Sequence, residues 1–128
     1  MSGVTDLGEL LASLRPVLTP GEWVFVTGVA PVEGAIATVV EEEGVTSVVS
    51  PEVAQRAGVE VGPAMARITL QVHSALEAVG LTAAVAAALA ARGIPANVVA
   101  GYFHDHVFVP VARAADAVAA LAELSRHP

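Results

Sequence analysis

The sequence contains no cysteine and no lysine, and aromatic residues make up only 4% of its 128 positions. The absence of cysteine excludes a disulfide framework, a thiolate nucleophile and cysteine-type zinc ligation. Without lysine, all positive side-chain charge rests on six scattered arginines, and the formal net charge is −7. Nucleic-acid affinity requires clustered Lys or Arg to neutralise phosphates, so no nucleic-acid partner is expected. Long apolar runs are lacking too. The longest, Leu81 to Ala91 with Thr82 inside it, falls far short of the roughly 20 residues of a membrane span, and no membrane partner is expected. The first residues, Met-Ser-Gly-Val-Thr-Asp, carry neither the basic nor the apolar region of a signal peptide, which makes the cytoplasm the expected location. What is abundant is apolar residues, 55% of the chain. A chain of this length matches one domain, or two very small ones sharing a core, and buries about two thirds of its unfolded surface. The many Ala, Val and Gly residues imply cores built from small side chains.

Leu7, Leu10, Leu11 and Leu14 recur with the spacing of one buried helix face, and Asp6 and Glu9 stand where a capping box would. Pro16 and Pro20-Gly21 end that helix and lead into Glu22 to Val29, whose β-branched and aromatic content predicts a strand buried on both faces. Strands over about Ile36 to Glu42 and Val45 to Val49 meet at Glu43-Gly44. Ser50 as N-cap and Pro51 as first helical residue predict a short helix to Ala57, closed by Gly58. Met65 to Val72 alternates as a half-buried strand does, with Ala66, Ile68, Leu70 and Val72 on one side. A helix follows from about Thr82 to Arg92, with Leu81, Val85 and Leu89 as its large apolar stripe and Ala over most of its remaining surface. Gly93 and Pro95 stop it. Asn97 to Phe103 and His106 to Val111 predict a hairpin turning near His104-Asp105, and Ala112 to Arg126 a last helix with Val118, Leu121 and Leu124 inward. The order of elements repeats over about 60 residues. Two ferredoxin-like units in tandem are therefore expected, an α+β fold with antiparallel sheets and helices on one face, the first over residues 1–62 and the second over 63–128. The last helix has no strand after it, so sheet edges are left over, and dimerisation is one way to cover them.

Three groups of residues could carry chemistry. The segment Val72 to Thr82 leads from a strand into a helix, whose first N–H groups and positive end suit a carboxylate. An amino acid's α-carboxylate would fit there, with Glu77 accepting the ammonium group and Ser74 and Thr82 adding hydroxyl contacts. Alternatively Ser74 and Glu77 form a capping box, Thr82 caps the next helix, and nothing binds. The second group is His104-Asp105-His106, with His73 elsewhere; these imidazoles could complete a three-ligand metal site, or the first two residues could be an ordinary polar turn. The third, Glu41-Glu42-Glu43, is either a hard-cation site or a solvated acidic turn. No phosphate loop, serine nucleophile elbow or zinc-protease motif is present in the sequence, and no enzymatic activity or cofactor is expected.

The stretch Ile68-Thr-Leu-Gln-Val-His-Ser-Ala-Leu-Glu-Ala-Val-Gly-Leu-Thr-Ala-Ala-Val85, then Gly93-Ile94, Asn97 to His106 and Val107-Phe-Val-Pro110, resembles a group of small bacterial ACT-domain proteins of uncharacterised function. That group is similar in turn to the ACT modules of aspartate kinases and of arginine sensors of the CASTOR type. The N-terminal half agrees through its Leu-rich helix, Gly21-Glu-Trp-Val-Phe-Val-Thr27 and Glu42-Glu-Gly-Val-Thr46. The resemblance implies tandem βαββαβ folds that bind free amino acids where ACT units meet. It implies ligand contacts from the loop between the first strand and first helix, here His73, Ser74, Leu76, Glu77, Val79, Gly80, Leu81 and Thr82. The common ACT form of that loop is shorter and carries Asp and Pro before the glycine, unlike this one. The expected function is a non-catalytic, amino-acid-binding regulatory module that acts as a homodimer. The alternatives are an oligomerisation or protein-docking module without a ligand, and a metal-dependent enzyme using His73, His104 and His106.

Overall fold

Capping decides where the first helix begins. In the computed structural model, which describes residues 6–72 and 79–127, the Asp6 carboxylate accepts the Glu9 N–H at 2.9 Å and α1 runs Leu7–Ala12. The remaining elements are β1 (Pro16–Leu18), β2 (Val24–Gly28), β3 (Ala37–Val40), β4 (Val45–Val49), α2 (Pro51–Ala57), β5 (Met65–Leu70), α3 (Leu81–Ala90), β6 (Asn97–Ala100), β7 (Asp105–Pro110) and α4 (Ala114–Arg126), the last preceded by one 3-10 turn at Val111–Arg113. By contacts the chain forms two units, one of Met1–Pro20 with Ala66–Pro128 and one of Gly21–Met65.

The larger unit has a four-stranded sheet in the order β1-β5-β7-β6. Its strand order, with β1 antiparallel to β5 through Pro16↔Leu70 and Leu18↔Ile68, is that of a ferredoxin-like βαββαβ unit whose last strand comes from the other end of the chain. The position left open after α4 in the sequence is thus filled by β1, which the sequence pattern does not reveal. α1 arrives with it. Leu10, Leu11 and Leu14 join Ile68, Leu70, Leu81, Val85, Leu89, Val107, Val109 and Leu121 in one buried cluster. The inward face of α4 is mostly Ala114, Ala117, Ala120 and Leu121, with Val118 and Leu124 only partly buried, so small side chains bring this helix close to its neighbours. Ser125 fastens α4 to the end of α1, its hydroxyl reaching the Leu14 carbonyl at 3.2 Å. The expected half-buried pattern of β5 gives way to burial on both faces: Met65 and Thr69 are buried as well as Ala66, Ile68 and Leu70.

The Gly21–Met65 unit holds β2, β4 and β3 in that order, antiparallel throughout. Trp23 and Met65 exchange backbone hydrogen bonds of 2.8 and 2.7 Å, a single antiparallel bridge in the place of a fourth strand. α2 begins as the sequence predicts, with the Ser50 hydroxyl accepting the Val53 N–H at 3.2 Å, and Gly58 ends it in the left-handed region at φ 70°. Val24, Val26, Val49 and Ala54 form the core. β2 is not fully buried on both faces as expected: Val24 and Val26 are buried, while on its other face Phe25 is half-buried and Thr27 exposed. Residues 29–36 form no helix between β2 and β3. That stretch contains Pro31 and Gly34 and is too short for a helix with its two connections.

Candidate functional site

The segment between β5 and α3 is set up by a strand that ends buried and a helix that begins without a side-chain cap. Val72 is buried at the end of the strand's run. His73, Ser74, Leu76 and Glu77 lie outside the described residues. Of the other predicted ligand contacts, Val79 is exposed, Gly80 is the N-cap of α3, and Leu81 and Thr82 are its first two residues. Thr82 therefore stands inside the helix and does not cap it. Gly80 sits at φ 97°, ψ −15°, a left-handed conformation that favours glycine, and its carbonyl accepts the Ala84 N–H at 2.9 Å. Because Gly80 has no side chain, no side-chain hydrogen bond closes the helix start, and its first N–H groups together with the positive end of the helix dipole suit an anion.

Leu81 differs from its neighbours in role. Only 3% exposed, it packs in the core with Val85 and Leu89, anchoring the helix start from below. A Cβ built on Gly80 would lie 3.1 Å from Leu7 Cδ2. α1 thus borders the helix start, a neighbour that sequence reasoning places in the core through its Leu spacing but not beside the loop.

The histidine group is organised by the β6–β7 turn. Ala100 pairs with Asp105, and Gly101 N–H donates to the His104 carbonyl at 2.9 Å. The turn is Gly101 to His104, earlier than the predicted His104-Asp105, and a Cβ on Gly101 would meet the His104 oxygen at 2.8 Å. Tightness at this glycine fixes the turn there. His106 Nδ1 and Thr69 Oγ1 are 3.0 Å apart across the sheet. Burial lowers the His106 pKa, with the Arg67 and His104 charges adding to the effect, whereas burial raises that of Asp105 against the pull of His106 and His104. His104 Nδ1 is buried without a hydrogen-bond partner among the described residues. Among those residues no group of three or more His, Asp or Glu could hold a metal ion. The acidic turn is closed on itself: Glu41 N–H donates to Gly44 O at 2.9 Å, and the Thr46 hydroxyl donates to the Glu41 carboxylate.

A further concavity, unforeseen from sequence, lies in the Gly21–Met65 unit. About 420 Å³ in volume, it is lined by Val32, Glu33, Gly34, Val53, Arg56 and Ala57. These residues come from the β2–β3 connection and α2, whose proximity no local pattern announces.

Two family models, each described as an ACT domain, match residues 2–66 and 66–123. A Vibrio cholerae protein of unknown function, described as a possible transport protein, is 47% identical, with 97% of this chain and 99% of that one covered at a TM-score of 0.84. An Agrobacterium tumefaciens protein, 17% identical, matches at a TM-score of 0.71 over 88% of this chain and 89% of its own. The regulatory subunit of aspartate kinase from Thermus flavus, 15% identical, matches at 0.63 over 85% and 95%. At such low identity the last two share the fold. No curated protein matches the chain.

Proposed function

The chain belongs to the ACT-domain family, whose members are regulatory, ligand-binding modules, and from that premise we propose that it binds a free amino acid at the loop between β5 and α3 without catalysing a reaction. The observation that carries this reading is the start of α3: Gly80 in the left-handed region leaves the first turn without a side-chain cap, a favourable seat for an α-carboxylate. Glu77 takes the ammonium group, Ser74 and Thr82 add hydroxyl contacts, and His73, Leu76 and Val79 complete the loop. Leu81 contributes its backbone, since its side chain belongs to the core. As repeats along the sequence the units are 1–62 and 63–128, and the working form is a cytoplasmic homodimer.

The test is thermal unfolding of the whole chain against each common amino acid at millimolar concentration. A ligand at about 100 times its Kd stabilises by roughly 2.7 kcal/mol, a melting shift of several degrees. Gly80→Asp places a carboxylate and a strained Cβ at the helix start and should abolish the shift while the circular dichroism spectrum stays native. Unchanged affinity would exclude this loop as the ligand seat. A second reading, a docking or oligomerisation module without ligand, draws on Tyr102 and Phe103, exposed at the β6–β7 turn with rings 5.0 Å apart in edge-to-face contact. A flat amino-acid screen together with a stable dimer would favour it.

A further inference from the structure

We propose that the β6–β7 turn is a pH-operated latch: a neutral His106 clasps the turn against β5, and a proton on His106 opens it and changes how the Tyr102–Phe103 pair is presented. The ring of His106 is held on two sides. Its Nδ1 is 3.0 Å from the hydroxyl of Thr69, a buried residue of β5. Its other edge rests on the turn, where a Cβ built on Gly101 would lie 3.3 Å from Nε2 and 3.5 Å from Cδ2. The same Cβ would be 2.8 Å from the His104 carbonyl oxygen, which accepts the Gly101 N–H at 2.9 Å. Ring, glycine and turn are thus in contact without slack. The two residues spanned by that hydrogen bond are Tyr102 and Phe103, both exposed, with rings 5.0 Å apart and edge to face. Opening the clasp therefore moves this pair.

The groups around the ring make a proton there costly. From β5, Arg67 lies two residues before Thr69 and so on the same face of the sheet, its Nε–H donating to Thr19 Oγ1 at 3.1 Å. From the β7 side come Asp105 and His104, the latter with Nδ1 buried and without a hydrogen-bond partner among the described residues. β6 and β1 carry no titratable side chain, and the turn adds only the Tyr102 hydroxyl. Burial is the main cause that holds the His106 pKa below its ordinary 6.5; the Arg67 and His104 charges add to it and Asp105 opposes them. In an open turn the ring reaches water and its pKa returns toward 6.5. Opening is then independent of pH above that value, and below it gains up to about tenfold per pH unit until the closed-state pKa is reached, one proton being taken up. The latch rests on neither reading of the β5–α3 loop.

The experiment follows the isotope-labelled full chain by NMR from about pH 8 to about pH 5, a span that brackets the unperturbed histidine value. The His106 ring Cε1–H signal reads its protonation, the protection of the Gly101 amide against hydrogen exchange reads closure, and the Tyr102 ring shifts read the aromatic pair. Gly101 protection should fall by up to about tenfold per pH unit as His106 takes up its proton, and the Tyr102 shifts should change over the same range. The Ala91 amide, bonded to the Ala87 carbonyl at 2.9 Å, should keep its protection and so reports that the unit stays folded. Arg67→Gln removes a like charge and should move the range to higher pH; Asp105→Asn removes the opposing charge and should move it lower. His106→Gln keeps a partner for Thr69 without taking up a proton and should make Gly101 protection independent of pH, whereas His104→Gln should leave the dependence in place. Constant Gly101 protection while His106 titrates overturns the proposal, as does a dependence that survives His106→Gln or that vanishes in His104→Gln. Should His106→Gln lose its Ala91 protection at neutral pH, the two charge variants decide: movement in the same direction, or none, overturns the latch.

Discussion

Leu10→Ala tests whether the N-terminal segment is truly part of the unit built from the C-terminal half. Leu10 is 0% exposed and shares its cluster with Leu81, Val85, Leu89 and Leu121. Removing a fully buried Leu side chain costs about 3 kcal/mol, the transfer of its methyl groups plus the cavity they leave. Against a typical stability of about 5–15 kcal/mol that is a large share, and it corresponds to a melting drop on the order of 10 °C. Urea unfolding read by helix ellipticity reports mainly on α3 and α4, while fluorescence reads the Gly21–Met65 unit, because the sequence has a single tryptophan, Trp23. The midpoint by ellipticity should fall with the slope unchanged. Leu7→Ala is the control, since Leu7 is 37% exposed and its loss should cost about 1.5 kcal/mol, half the Leu10 figure. If Leu10→Ala costs no more than Leu7→Ala, α1 does not share a core with α3 and α4, and the completion of this sheet by the N-terminus is refuted.

Ser47→Ala leaves the half-buried Val32 N–H without its acceptor, which should cost about 1 kcal/mol and speed hydrogen exchange at the Val32 amide. Gly44→Ala puts a Cβ 2.9 Å from the Gly28 carbonyl oxygen and 3.0 Å from Thr27 Oγ1, a backbone clash that should cost about 2 kcal/mol or more. Gly62→Ala, with nothing within 4 Å of its Cβ, should change the urea midpoint little. The pH dependence follows from two opposed shifts. His106 has its folded pKa below the ordinary 6.5, so its contribution to stability is fully present above that value and is lost as pH falls through the folded pKa. Urea midpoints of His106→Gln should fall less steeply on acidification in that window. Asp105, raised above 3.8 by burial, contributes stability that is present below that value and lost as pH rises through its folded pKa. Asp105→Asn should remove that loss.

Local signals were legible where a single residue closes a turn. Asp6, Ser50 with Pro51, Gly58 and Gly93 all mark helix ends at the places the sequence predicts, because capping is decided by groups within a few residues. β1 was not legible. It has three residues, opens on Pro16 and ends near Pro20, so it offers no alternation long enough to read, and its reason for being extended is a partner some fifty positions away. The repeat order does hold a hint, since α4 lacks a following strand, but pattern cannot say that the missing strand lies at the opposite end. The absence of a helix over residues 29–36 is a counting matter that composition alone could have decided through Pro31 and Gly34.

The β5–α3 loop is legible for a physical reason. At the β5–α3 loop the signal is conformational: glycine before a helix can be recognised from sequence because the left-handed backbone and the missing cap are both properties of that one residue. Leu81, read from the sequence both as part of the apolar stripe of α3 and as a ligand contact, gives its side chain to the core, whereas Val79 is exposed; direction on a helix is set by what packs below it.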